Sequence, residues 1–108
     1  MDIKILDELV AGILAIMKPS VVRIVLYGSV ARGTNTEESD VDVAVLVKGQ
    51  LDKEMEDKLS DLVVDMNLKY DKVFSVIDID YETFRKWAGV TPFYQNVTKE
   101  GIVLWKAA

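Results

Sequence analysis

LYGSVARGTNTEESDVDV, residues 26–43, joins the end of one apolar segment to the start of another through the most polar and least periodic part of the chain. The segment before it, Val21 to Tyr27, is β-branched and too short for a helix, so it reads as a strand. The segment after it, Val41 to Val47, is apolar throughout except for Asp42, as expected of a strand buried on both faces in the middle of a helix-covered sheet. The first strand runs into Gly28-Ser29, where a residue without a side chain lets backbone approach a ligand closely. Ser29 to Arg32 can begin a short helix, whose free N–H groups suit a phosphate. The Ser29 hydroxyl and the Arg32 guanidinium are further phosphate donors. Ten residues separate Ser29 from Asp40-Val41-Asp42. Strand residues two apart project to the same side, about 6.6 Å apart at about 3.3 Å per residue. Two carboxylates so placed can chelate one divalent ion or bridge two. Without a metal, like charges at that separation resist joint ionisation.

Outward from this stretch, the remaining elements follow from periodicity. Residues 2–17 set Ile5, Leu6, Leu9, Ile13, Ile16 and Met17 at helical spacing, and Pro19-Ser20 ends the helix. Lys48-Gly49-Gln50 reads as a turn. Residues 52–69 return to helical spacing with Met55, Leu59, Leu62, Val63 and Met66 on one stripe. A third strand is expected from about Lys72 to Ile79. Asp80 then caps a short helix through Tyr81, Phe84 and Trp87. Thr91-Pro92 marks the N-cap and first position of a helix over 92–100, Gly101 ends it, and residues 102–105 form a short edge strand. With no repeat or linker, residues 1–108 are expected to form a single α/β (α+β) domain, a small mixed sheet flanked by helices.

Composition narrows the chemistry. Half of the 108 residues are hydrophobic and 29% are charged, ordinary for a globular chain with a real core. No apolar run approaches the length needed to cross a bilayer, and the acids of MDIKILDEL do not suit a signal peptide, so a soluble cytoplasmic protein without a membrane partner is expected. There is no cysteine and no histidine. That removes thiolate sites, the usual zinc ligand and every Ser-His or Cys-His arrangement. Polar catalysis then rests on carboxylates, Lys, Tyr or a bound metal, and carboxylate oxygens favour hard cations such as magnesium. A net charge of −5 argues against a dedicated nucleic-acid binder, though not against a local nucleotide pocket.

The plainer readings weigh differently. A Gly-Ser turn alone is usually only a turn, and an Asp-X-Asp alone is usually a solvated strand end or cap. Their conjunction on a strand–turn–strand frame is what points to function. Trp87, Phe93, Tyr94 and Trp105 can stack a base, but aromatics near short helices and edge strands are mostly core or interface. Tyr27 reads as packing, and Glu37-Glu38 as a solvated loop.

Gly28-Ser29, the gap, Asp40-X-Asp42, Ala31-Arg32-Gly33 within it and Ser39 just before the acids closely resemble the minimal nucleotidyltransferase (MNT) family, within the DNA polymerase β-like nucleotidyltransferase superfamily. The resemblance extends from the leading helix to the ending FYQNVTKEGIVLW, Phe93 to Trp105. It implies a polymerase β-like nucleotidyltransferase fold and transfer of a nucleoside monophosphate, AMP from ATP, to an acceptor hydroxyl. By the same resemblance Gly28, Ser29, Arg32 and Ser39 bind the nucleotide, while Asp40 and Asp42 hold one or two Mg2+ ions and are catalytic. The implied partner is a HEPN-domain toxin, adenylylated on a tyrosine by this chain as antitoxin, with nucleic acid entering only as that partner's substrate. Because the chain builds no acceptor pocket of its own, the acceptor site is expected from another chain or from a second copy in a homo-oligomer.

The chain departs from the family pattern at one place. Active members carry a third acid on the next strand, and here that position falls at Val73 or, with a shifted register, at Ser75. Asp71 shares the strand parity of both and is the candidate substitute; Asp78 has the opposite parity. The alternative function is therefore a catalytically weak, nucleotide-binding antitoxin that neutralises its partner by direct binding.

Overall fold

The structure, a computed structural model, describes residues 2–34 and 40–108. Strands β1 (Val21–Tyr27), β2 (Val41–Val47), β3 (Phe74–Asp80) and β4 (Ile102–Lys106) form one sheet in the order β3-β2-β1-β4. β1 runs antiparallel to both β2 and β4, whereas β2 and β3 are parallel, so the sheet is mixed. β2 and β1 occupy its centre, which is why Val41–Val47 is apolar on both faces.

Five α-helices accompany the sheet among the described residues: α1 (Ile3–Met17), α2 (Gly28–Arg32), α3 (Lys53–Tyr70), α4 (Tyr81–Trp87) and α5 (Pro92–Glu100). The stripe Leu6, Leu9, Ile13 and Met17 of α1 joins Leu59 and Met66 of α3 over one sheet face, against Ile24, Leu26, Val41, Val43, Val45 and Phe74. The other face, with Val25, Ala44, Leu46 and Ile79, is covered by Phe84 of α4 and Val97 of α5. Leu9, Ile13 and Ile24 are fully buried, each stabilising the fold by roughly 1.5–3 kcal/mol relative to exposure.

The two long helices, α1 and α3, each start with a side-chain cap. The Asp2 carboxylate accepts from Lys4 N at 2.9 Å, and that of Asp52 from Met55 N at 2.8 Å. Asp80 precedes α4 as expected, its carboxylate accepting from the Thr83 hydroxyl at 2.9 Å and from Gly49 N at 3.2 Å. These bonds hold the Asp80 carboxyl below its ordinary pKa, the Thr83 hydroxyl contributing most.

The start of the third strand differs from expectation. α3 continues to Tyr70, Asp71 adopts the left-handed conformation (φ 50°) as its C-cap, and β3 begins only at Phe74. The Asn67 side-chain oxygen accepts from Phe74 N at 2.8 Å, tying the helix end to the strand start. Asp is one of the few L-residues that tolerate this cap conformation. Asp71 is therefore a helix terminator, not a strand residue. Asp78 stands opposite Val45, on the α1/α3 side of the sheet, as its parity required.

Candidate functional site

The site lies where β1 ends and β2 begins. Gly28 leaves β1 with φ +76° and opens α2, the five-residue helix that carries Ser29 at its start and Arg32 at its end. A Cβ at Gly28 would overlap the Asp42 carboxylate at Oδ2 and lie 3.3 Å from its Cγ. Glycine is thus required twice over, by the backbone angle and by the carboxylate it touches. The turn and the acid strand that sequence places far apart are in direct contact.

Asp42 is half-buried and Asp40 exposed at the strand's beginning. Sheet register puts Asp42 between Tyr27 of β1 and Ser75 of β3. Partners in one row share a face, so these three side chains lie on the α4/α5 side. Tyr27 meets Phe93 of α5 edge-on, ring centroids 5.5 Å apart, and Phe84 packs on Tyr94 at 5.2 Å. Trp105 packs against the main core, so these aromatics build walls around the sheet.

Burial, then the charge of Asp40, pushes the Asp42 carboxyl above its ordinary value, and the Arg32 guanidinium opposes them in part. Burial and the Asp42 charge likewise raise the Tyr27 phenol. Arg32 reaches across to α5, where Nη1 donates to Glu100 Oε2 at 2.9 Å. Glu100 is the partner that sequence reading missed, since 68 residues separate the two and no local pattern joins them.

Ser39 and the Glu37-Glu38 pair lie outside the described residues. Of the positions weighed for a third acid, Ser75 stands beside Asp42 in the parallel register, and Val73 precedes β3 with its carbonyl accepting from Val41 N at 2.8 Å. Among the described residues, no cluster of three acidic side chains forms, and Asp71 at its helix cap does not complete one. The donor set that remains is two carboxylates, one of them held above its ordinary pKa by burial and then by its neighbour. Such a pair suits a hard divalent cation, because the cation relieves the repulsion that the protein alone leaves standing.

Burial of Asp42, together with that repulsion, gives a prediction about stability. A folded-state pKa raised above the unfolded one means that the native state binds the proton more tightly, so stability falls as pH rises through this range. Asp42→Asn is therefore expected to raise the melting temperature of metal-free protein at pH 7 by about 1–3 °C, a small gain because the group is partly exposed. The gain should fade as pH falls through the ordinary carboxylate value. Scanning calorimetry at pH 7 and pH 3.5, with a chelator present, checks both signs.

A family model described as polymerase beta, nucleotidyltransferase matches residues 13–108. The chain belongs to that nucleotidyltransferase family. A Methanocaldococcus jannaschii relative, provisionally named a protein adenylyltransferase, is 36% identical over 105 residues, spanning 94% of this chain and 96% of its own. Among solved structures, a toxin–antitoxin crystal structure with AMP-PNP is 26% identical, with TM-score 0.64 over 93% of this chain and 73% of that chain. A Shewanella oneidensis complex of a tri-AMPylated HEPN toxin with its MNT antitoxin shares the fold at TM-score 0.54, with 22% identity over 94% of this chain and 72% of that one. The fold is that of a minimal nucleotidyltransferase, a mixed four-stranded sheet with helices on both faces. No helix among the described residues is long and apolar enough to cross a membrane.

Proposed function

We propose that this chain is a metal-dependent nucleotidyltransferase that moves AMP from ATP to a hydroxyl of a partner protein, a tyrosine of a HEPN-domain toxin, and so acts as its antitoxin in the cytoplasm. The observation that supports the reading is the closeness of Gly28 to the Asp42 carboxylate, which brings a glycine turn and an acid side chain together. The 36% identity to a protein provisionally named an adenylyltransferase supports the acceptor class, and the likeness to a toxin–antitoxin structure with AMP-PNP supports both nucleotide and partner.

In this reading Gly28 N–H and the Ser29 hydroxyl bind the outer phosphates, and Arg32 adds a guanidinium edge. Asp40 and Asp42 hold Mg2+. The cation supplies charge neutralisation on the triphosphate, and the residues supply position. The acceptor oxygen bonds to the α-phosphorus as the bond to the bridging oxygen breaks. Pyrophosphate leaves, and the hydroxyl proton passes to water.

The test is transfer of label from α-labelled ATP to a HEPN-domain protein encoded beside this chain. The expected result is Mg2+-dependent labelling of a tyrosine, abolished by a chelator. A folded protein that binds the partner yet transfers no label would remove the catalytic claim. A second reading, neutralisation by direct binding, is favoured by Ser75 standing beside Asp42 where an acid would complete a three-carboxylate site. Under it, Asp40→Asn would still protect cells from the toxin.

A further inference from the structure

We propose that Glu100 is a positioning residue for this site: it holds the Arg32 guanidinium aside from Asp40 and Asp42, keeping both carboxylates open to a cation and turning Arg32 toward the triphosphate. The inference rests on the reading of the site as a cation and triphosphate site. Its basis is the Arg32 Nη1 to Glu100 Oε2 contact at 2.9 Å, made between α2 and α5 by side chains that are 45% and 39% exposed. Ion pairs that exposed contribute little to stability, so the consequence of this one lies in where it points the arginine.

The two ends of the pair are held very differently. Arg32 is the last residue of a five-residue helix and is followed by Gly33 in the left-handed conformation, so its own element does little to fix a long, rotamer-rich side chain. Glu100 closes α5, and α5 is seated tightly. Gly101 N donates to Val97 O at 3.1 Å, and a Cβ at Gly101 would overlap both that carbonyl and Cγ1 of Val25 in β1. The helix end therefore rests directly on the sheet, so the backbone that carries Glu100 is anchored where the short helix carrying Arg32 is not.

What Arg32 would do without Glu100 follows from its surroundings. It stands in the same five-residue helix as Gly28, which lies against the Asp42 carboxylate, and Asp42 shares the site with a second acid. Released, the guanidinium would find those two acids, and a fork of N–H donors laid on a carboxylate covers the oxygens a cation needs. Held by Nη1, it keeps its remaining N–H donors for phosphate oxygens.

The test compares wild type with Glu100→Gln, Glu100→Ala, Arg32→Ala and the Glu100→Ala/Arg32→Ala double variant. Mn2+ binding without nucleotide is followed by electron paramagnetic resonance, ATP binding with Mn2+ by calorimetry, and folding by thermal melting. Both Glu100 variants are expected to weaken Mn2+ binding roughly tenfold, the scale of one lost charge-assisted contact, with melting close to wild type. The double variant should recover Mn2+ affinity to within about twofold of wild type while ATP binding stays weak, because the intruding guanidinium is gone and so is the phosphate donor. A purely structural role for Glu100 would not produce that recovery. Glu100→Gln with wild-type affinities, or a double variant no better than Glu100→Ala, would overturn the proposal alone. A wild-type protein that binds neither Mn2+ nor ATP would overturn the site reading and this inference with it.

Discussion

Gly28→Ala is expected to lower nucleotidyl transfer by at least about 100-fold while leaving a folded protein, the scale of losing one preorganised electrostatic contact to the reacting group. Two penalties coincide at this residue. Its φ of +76° places any L side chain in the left-handed region, at about 1–2 kcal/mol. The added methyl would also overlap Asp42 Oδ2, so either the turn rises from the strand or the carboxylate rotates away. Both responses separate the phosphate turn from the acid. The melting temperature should fall by about 5–15 °C, given the strain and the size of the chain. Asp42→Ala in the Gly28→Ala background is expected to return part of that stability by removing the overlapping carboxylate, and to return no activity. Steady-state kinetics and melting on the single and double variants read both effects. Near-wild-type turnover in Gly28→Ala would mean that the contact is packing and no part of the site.

The reason this contact was partly legible in the sequence, and others were not, is physical. The strands flanking residues 28–40 begin and end where β-branching and apolar runs place them, at Val21, Tyr27, Val41 and Val47. Local composition determines such boundaries, because a central strand must be apolar on both faces. Pairing direction leaves no such mark. The parallel run of β3 beside β2 depends on the path of α3 across the sheet, and periodicity alone assigns neither Ser75 to Asp42 nor Val73 to the position before it. Asp71 was misplaced for a related reason: an acid one step beyond a helix looks the same in sequence whether it enters the strand or caps the helix in the left-handed conformation. The Arg32–Glu100 pair was out of reach altogether, being an ion pair between two helices that meet only in the fold.

Ser75→Asp is the substitution expected to increase activity. In the parallel register Ser75 is the β3 residue level with Asp42, and residues in one row project to the same face with strands about 4.8 Å apart. Ser75 is half-buried, so an acid there would stand beside Asp42 with little water between them. In metal-free protein this adds a third like charge to a pair that already resists ionisation, and melting should drop by several degrees at pH 7. With cation present the sign reverses, since three carboxylates hold what two hold poorly. The bound Mn2+ is expected to rise from one ion to two per chain, and transfer at saturating Mg2+ to rise by at least about tenfold, consistent with two-ion stabilisation of attacking and leaving oxygens. Val73→Asp is the comparison that decides register: it precedes β3 and lies nearer Asp40, so its gain should be smaller. Equal gains at both positions would place the acceptor side between them. No second ion in Ser75→Asp, with activity unchanged, would mean that the acceptor hydroxyl is activated by groups this chain does not carry, and would move the weight to neutralisation by direct binding.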